Sequence, residues 1–257
     1  MESLCAFPNK YLNMKVGLFL PCYVDQFYPQ VAIATYQLLQ KLGCDVSFPM
    51  KQTCCGQPMA NSGYEHLTSG CDANFIANFA QFDYIVSPSG SCTLHVKDHL
   101  HDEKNEQLAA QIRTRVFELT EFITDILKVE KVEGKFPHRV GMHESCHGQR
   151  MLHLSQMSEL NAPYFSKPGQ LLSGIKGLEL VSLSRKDECC GFGGTFCVTE
   201  EAVSAKMGLD RVKDHENQNV DYITGGDMSC LMHLEGILKR QKSPVKIIHI
   251  AEILNSI

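Results

Sequence analysis

Short aliphatic and β-branched runs alternate along this chain with longer stretches in which apolar positions recur every three or four residues. In the first half, runs at 16–20, 45–48, 84–87 and 116–119 predict strands, and the stretches near 26–42, 64–82 and 93–111 predict helices between them. Leu67, Cys71, Phe75 and Phe79 recur every four residues and mark one apolar helix face. In the second half, runs at 139–144, 179–183, 221–224 and 245–250 alternate with helical patterns near 163–176, 199–216 and 228–240. Thr199 followed by Glu200 and Glu201 predicts an N-cap and an acidic first turn. Strands alternating with helices imply βαβ units, hence an α/β chain of two pseudo-repeated domains, each a mainly parallel sheet flanked by helices.

The same order of signals occurs twice, offset by about 130 residues, which is too long for a solenoid repeat and right for a duplicated domain. Lys15-Val16-Gly17-Leu18 leads to Cys22, and Arg139-Val140-Gly141-Met142 leads to Cys146, with Gly and Cys five positions apart in both. Asp83-Tyr84-Ile85 precedes Cys92 and Asp221-Tyr222-Ile223 precedes Cys230, each by nine positions from the aspartate. Val116–Glu121 and Ile247–Glu252 close the two copies. These marks divide the chain into an upstream extension at 1–13, expected to be poorly ordered, a first domain at 14–132 and a second at 133–257. The polar Glu130–Pro137 stretch, with Gly134 and Pro137, is the expected break.

Composition narrows the function. With 257 residues, 44% hydrophobic and 21% charged, the chain is globular and large enough for proper cores. A net charge of -5 without a Lys/Arg cluster argues against nucleic acid as a partner. The apolar runs are far shorter than a membrane span, and MESLCAFPNKYLN lacks the layout of a secretory signal, so a cytoplasmic location is expected. There the twelve cysteines stay reduced and read as ligands or redox groups.

Eight of them follow the duplication: Cys22, Cys54, Cys55 and Cys92, then Cys146, Cys189, Cys190 and Cys230. Each group follows a predicted strand, and in a parallel sheet all carboxyl ends lie on one edge, so two four-thiolate sites are expected. Thiolates select iron-sulfur clusters or zinc over hard cations. Zinc usually takes close CxxC pairs, whereas here an adjacent pair is separated from the other ligands by 31 to 42 intervening residues, a layout that suits a cluster better. Zinc stays open for one site. Gly56, Gly191, Gly193 and Gly194 let backbone N–H groups turn toward the sulfurs.

Of the other cysteines, Cys44 and Cys71 are expected in cores, Cys5 falls in the extension, and Cys197 stands near the second site with its role open. His95, His233 and His147 each stand close to a ligand cysteine and could donate to it. Gly191-Phe192-Gly193-Gly194 is not a dinucleotide loop, since Phe196 stands where GxGxxG needs glycine.

The ordered motifs CCGQP, PSGSC, ECCGFGGTF and GGDMSC resemble the duplicated CCG cysteine-rich domain shared by heterodisulfide reductase and the glycolate oxidase iron-sulfur subunit, and within that group the lactate utilization iron-sulfur subunits. The resemblance covers the chain after Met14. It implies an electron-transfer subunit of a cytoplasmic L-lactate-oxidising complex, working with the other subunits of that complex and carrying one or two clusters, 4Fe-4S in kind. In the heterodisulfide reductase pattern the last ligand comes as CxxC, but here Ser89 and Asp227 take the place three before Cys92 and Cys230. Its disulfide chemistry is therefore not carried over, and a thiol-disulfide reductase or a zinc-stabilised assembly subunit stands as the alternative. No flavin or nicotinamide motif occurs, so catalysis by this chain is expected only together with partner subunits.

Overall fold

A computed structural model describes residues 14–256; the proposed extension at 1–13, with Cys5, lies outside the described residues. The first sheet holds β1 (Lys15–Leu18), β2 (Asp45–Ser47), β3 (Tyr84–Ser87) and β4 (Val116–Glu118), all parallel, in the order β2-β1-β3-β4. A two-residue pair joins β5 (Gly134–Lys135) to β7 (Ile175–Lys176). The second sheet holds β6 (Arg139–Met142), β8 (Glu179–Val181), β9 (Tyr222–Gly225) and β10 (Lys246–His249), again all parallel, in the order β8-β6-β9-β10. The two orders are the same once strands are matched by position, so the repeat seen in the sequence is also a repeat of topology. In β1, β3, β6 and β9 the last three residues are all buried, as expected of strands covered on both faces.

The helices of the first half are α1 (Cys22–Phe27), α2 (Pro29–Lys41), α3 (Gln57–Asn61), α4 (Ser69–Phe79), α5 (Gly90–His99), α6 (Glu106–Arg113) and α7 (Leu119–Glu121). Those of the second are α8 (Lys167–Leu172), α9 (Phe196–Thr199), α10 (Glu201–Asn217), α11 (Met228–Gln241) and α12 (Ile250–Leu254). The eight strands of the two main sheets lie where the apolar runs predict them, but β5 and β7 were not expected, and the helix expected near 163–176 is confined to Lys167–Leu172, its last two residues forming β7 instead. Several helices differ from the expected ones, each for a local reason. The stretch at 26–42 divides at Pro29, which opens α2 where its missing N–H costs nothing. The stretch at 93–111 divides because Asn105 caps a new helix, its side chain accepting from Leu108 N at 3.1 Å. Leu67 leaves the apolar face: it ends a 3₁₀ turn before α4 begins, the change of pitch rotates it outward, and it is 56% exposed while Phe75 and Phe79 are buried. Thr199 is not an N-cap; it is the last residue of α9, and Glu200 takes the cap position of α10 without a side-chain hydrogen bond. The expected break at 130–137 is packed, with Val132 buried and Gly134–Lys135 paired as β5.

One apolar cluster is common to the halves, while a second, around Phe19, Phe75 and Phe79, belongs to the first half alone. A continuous apolar cluster runs from Val16, Leu38 and Leu119 in the first half to Val140, Ile223 and Ile253 in the second. Around it, Lys41 Nζ donates to the Asn255 side chain at 2.8 Å, and Tyr28 OH donates to Glu235 at 2.9 Å. At the centre, Ser89 and Asp227 form an antiparallel bridge between the halves. The buried Asp227 carboxylate accepts from Ser89 Oγ at 2.6 Å, Ser91 Oγ at 2.9 Å and Ser91 N at 3.2 Å. The residues that replace the extra cysteine of the related pattern thus clasp the two halves together.

Asp227→Ala strands the buried Ser89 hydroxyl and the half-buried Ser91 donors and should cost about 2–4 kcal/mol of stability, read as a lower urea midpoint of the metal-free protein; an unchanged midpoint would contradict the clasp. Glu118, fully buried at the N-terminus of α7, has its carboxyl pushed up to about 7 by desolvation, against the hydrogen bonds from Thr120 and Glu121. A carboxyl raised in the folded state holds its proton more tightly there than in the unfolded chain, so its contribution is complete at low pH and is lost as pH rises through that value. Relative to Glu118→Gln, the natural protein should lose roughly 3 kcal/mol between about pH 5 and about pH 8, and parallel stability curves would refute this.

Candidate metal centre

In both sheets the chain leaves the first strand to one side for the second strand and to the other side for the third. The crevice between first and third strands, at their carboxyl ends, is therefore the topological switch point where open α/β sheets bind ligands. Cys22 opens α1 just beyond β1, and Cys92 lies in the first turn of α5 just beyond β3. Cys146 precedes a π-helical turn, His147–Met151, beyond β6, and Cys230 lies in the first turn of α11 beyond β9. The first turns of α5 and α11 place Cys92 and Cys230 at the positive end of a helix dipole. Ser89 caps α5, its Oγ accepting from Cys92 N at 3.2 Å.

The adjacent cysteines reach the same place on loops. Gln52 ties the first loop to the end of β1, accepting from Leu20 N at 2.8 Å and donating to Leu18 O at 3.0 Å. The second loop is held by Arg211, fully buried in α10, which donates to Arg185 O and pairs with Asp214 at 3.3 Å. Each doublet ends on a glycine in the left-handed region, Gly56 at φ 92° and Gly191 at φ 86°. That turn aims Gly56 N at Cys54 Sγ (3.5 Å), Gly191 N at Cys189 Sγ (3.4 Å) and Phe192 N at Cys190 Sγ (3.5 Å). At Gly191 space is limiting as well, since a Cβ would lie 2.7 Å from Met207 Cβ.

The structure brings Cys22, Cys54, Cys55 and Cys92 together, and likewise Cys146, Cys189, Cys190 and Cys230, and all eight line one cavity of about 380 Å³ between the halves. Tyr23 of α1 meets Phe192 edge-on at 5.8 Å, and Ser62 shares a hydrogen bond of 2.8 Å with Thr195 across the mouth. The sulfurs are crowded enough to set one another's ionisation. Cys54 is pulled down to about 2 by the thiols of Cys22 and Cys55, helped by Gly56 N–H, and Cys189 is pulled down to about 2 by Cys146 and Cys190 with Gly191 N–H. In return Cys22 is pushed up by Cys54, and Cys146 by Cys189, with burial adding to both. Cys55 and Cys190 are pushed up by their neighbouring thiols. Sulfurs that touch pair by pair, from Cys22 through Cys54 and Cys55 to Cys92 and from Cys146 through Cys189 and Cys190 to Cys230, repel one another as thiolates unless cations balance them, so the donor set fits a soft, positively charged metal group.

The remaining candidates separate. Cys44 is buried in the core and pushed up to about 11 by desolvation. Cys71 is half-buried on α4 under Gly56. Cys197 donates to Gly194 O at 3.0 Å and does not line the cavity. His147 lines it, with Nδ1 3.7 Å from Cys146 Sγ. His95 stacks on His99 at 4.8 Å and is held down to about 4 by burial, while His233 reaches Ser204 O at 3.4 Å. One residue was not expected. His143, buried at the end of β6, has a ring nitrogen within 4.8 Å of the Cys190 and Cys230 sulfurs. The duplication pointed to it indirectly, because its counterpart Phe19 stands at the same place before Cys22, but only the structure shows that the side chain faces sulfur.

The family model of the CCG cysteine-rich domain matches residues 16–97 and 140–235. Lactate utilization protein A of Geobacillus sp. (strain WCH70) is 43% identical over 247 residues, covering 95% of this chain and 100% of that protein. The same-named protein of Geobacillus thermodenitrificans is 40% identical, over 94% and 99% of the two chains. Among solved structures, a hypothetical protein from Helicobacter pylori shares the fold at a TM-score of 0.54 with 12% identity; the match covers 94% of this chain and about half, 48%, of that one. The chain belongs to the lactate utilization protein A family, built on two copies of the CCG cysteine-rich domain.

Proposed function

We propose that this chain is the iron-sulfur electron-transfer subunit of an L-lactate-oxidising system, with Cys22, Cys54, Cys55 and Cys92 holding one cluster and Cys146, Cys189, Cys190 and Cys230 a second, each 4Fe-4S in kind. The observation that carries this reading is the convergence of eight cysteines, from six separate segments, on one cavity between two copies of the same fold. Such clusters would supply one-electron acceptors and donors. The chain's own part is to place them: strand ends and helix first turns fix the sulfurs, and Gly56, Gly191 and Phe192 N–H groups offset part of their negative charge. The Tyr23–Phe192 contact narrows access of water from the cavity mouth.

On this reading the chain works in the cytoplasm beside the other subunits of a lactate utilization complex and does not complete the two-electron oxidation of lactate alone. Among the described residues no helix is long and apolar enough to cross a membrane. The shared cavity also favours a second reading, a thiol-disulfide reductase in which substrate sulfur enters between the two sets. Against it, Ser89 and Asp227, which replace the fifth cysteines, are engaged with each other. Zinc in one site makes a separate prediction of metal content.

Anaerobically purified protein should be brown and hold iron and acid-labile sulfide in near-equal amounts; colourless protein holding zinc alone would overturn the proposal. Cys190→Ser should remove the cluster signal of the second set and spare the first, with iron falling by about half. A spectrum that changes on adding a small disulfide would favour the reductase reading instead.

A further inference from the structure

The two cysteine sets rest on different foundations. Gly56 packs on Thr68 and Cys71 of the segment leading into and through α4, and Gly191 packs on Ser204 and Met207 of α10. Gly17 of β1 packs on Phe79 and Phe82, and Gly141 of β6 on His215 and Val220. One constant offset carries Thr68 to Ser204, Cys71 to Met207 and Phe79 to His215, and therefore Phe75 to Arg211. The strand ends correspond too, because Phe19 N donates to Val86 O at 2.9 Å as His143 N donates to Thr224 O at 2.7 Å.

Under the first set these positions form an aromatic triad. Phe19 meets Phe75 at 5.0 Å and Phe79 at 5.7 Å, and Phe75 meets Phe79 at 4.7 Å. Under the second set the same three positions are His143, Arg211 and His215, all buried. Arg211 Nε donates to His143 Nδ1 at 3.2 Å. A guanidinium has only donors, so Nδ1 must carry the lone pair and the neutral ring must carry its proton on Nε2. Nε2 is buried without a protein hydrogen-bond partner, and the ring lies against the Cys190 and Cys230 sulfurs. Asp214 pairs with the Nη1 side of Arg211 and tempers its charge, but leaves the Nε–His143 contact intact.

From this we infer that His143 Nε2, which makes no hydrogen bond to the cysteine sulfurs themselves, is a donor to the sulfur of the group held there rather than a metal ligand, and that it sets the second cysteine set at a higher reduction potential than the first, where Phe19 offers no donor. This rests on the cluster reading above. Donors to cluster sulfur and nearby positive charge stabilise the reduced state, whereas an apolar wall does not. An electron shared between the sets would therefore leave the first, oxidising it by one electron, and rest on the second, reducing it by one, with no atom transferred. The polar triad fixes the direction of flow through the chain.

The test is a redox titration of the anaerobically loaded full chain, with dithionite as reductant and mediator dyes, followed by paramagnetic resonance. Two separable one-electron steps are expected. His143→Phe, which copies Phe19, should move the upper step to lower potential and leave the lower step in place, and His143→Gln, which keeps an N–H donor, should restore part of the difference. An upper step that does not move, or a lower step that moves equally, would overturn the inference. In deuterated water an exchangeable proton coupled to the upper-potential centre should be replaced, and should be missing from His143→Phe. Nitrogen resonances of the metal-free chain should show the Nε2–H tautomer at His143, and an Nδ1–H tautomer would overturn the geometry without any cluster being present. Loaded protein without iron and sulfide would sink the cluster reading and this inference with it, an outcome separate from the failures named for His143.

Discussion

The rest of the structure depends on one constraint: in a parallel sheet every strand delivers the following residue to the same edge. Duplicated, with the same strand order in each copy, that constraint brings sulfur from six segments to one cavity. Local sequence then refines the delivery. Helix first turns carry Cys92 and Cys230, and left-handed glycines after each doublet turn N–H groups toward the thiols. The crowding that results is unfavourable for bare thiolates, as the opposed shifts of Cys54 against Cys22 and of Cys189 against Cys146 express. A fold that accepts this repulsion does so for the sake of a bound cation group.

The halves are equal in topology and unequal in chemistry. Their unity comes from a continuous apolar interior and from the Asp227 clasp, which reuses the two positions where the heterodisulfide reductase pattern has an additional cysteine. Their difference lies one layer below the sulfurs, where the positions of three phenylalanines in one half are taken by a His-Arg-His triad in the other. A duplicated fold thus provides two similar sockets, and substitutions behind the ligands make them distinguishable. Charge and hydrogen bonding act on a metal group from that distance without changing what holds it.

Much of this was legible in the sequence, and the reasons differ by feature. The strands were plain because buried parallel strands leave short apolar runs, and the cysteine spacing repeated with them. Helix limits were less plain, because they depend on single residues: Pro29 and Asn105 divide stretches whose apolar pattern runs on, and Thr199, whose type suggests a cap, completes a preceding turn instead. Leu67 kept its spacing and still lost its place when the helix began later than the periodicity. The segment at 130–137 looked like a linker because it is polar, yet two backbone pairs and one buried valine hold it in the body. His143 and Arg211 could not be assigned from spacing, since only the packing of α10 on β6 shows them facing each other, with His143 beside the sulfurs.

The central claim is that two four-cysteine sets hold their metal groups facing each other across a single cavity. Paramagnetic resonance of the fully reduced, anaerobically loaded protein tests it most directly, because two reduced centres on the walls of one cavity should couple magnetically. The account predicts a broadened, split spectrum that collapses to a simple signal when one set is removed by a Cys55→Ser or Cys190→Ser substitution. Two simple signals that add without coupling, each indifferent to loss of the other, would contradict it.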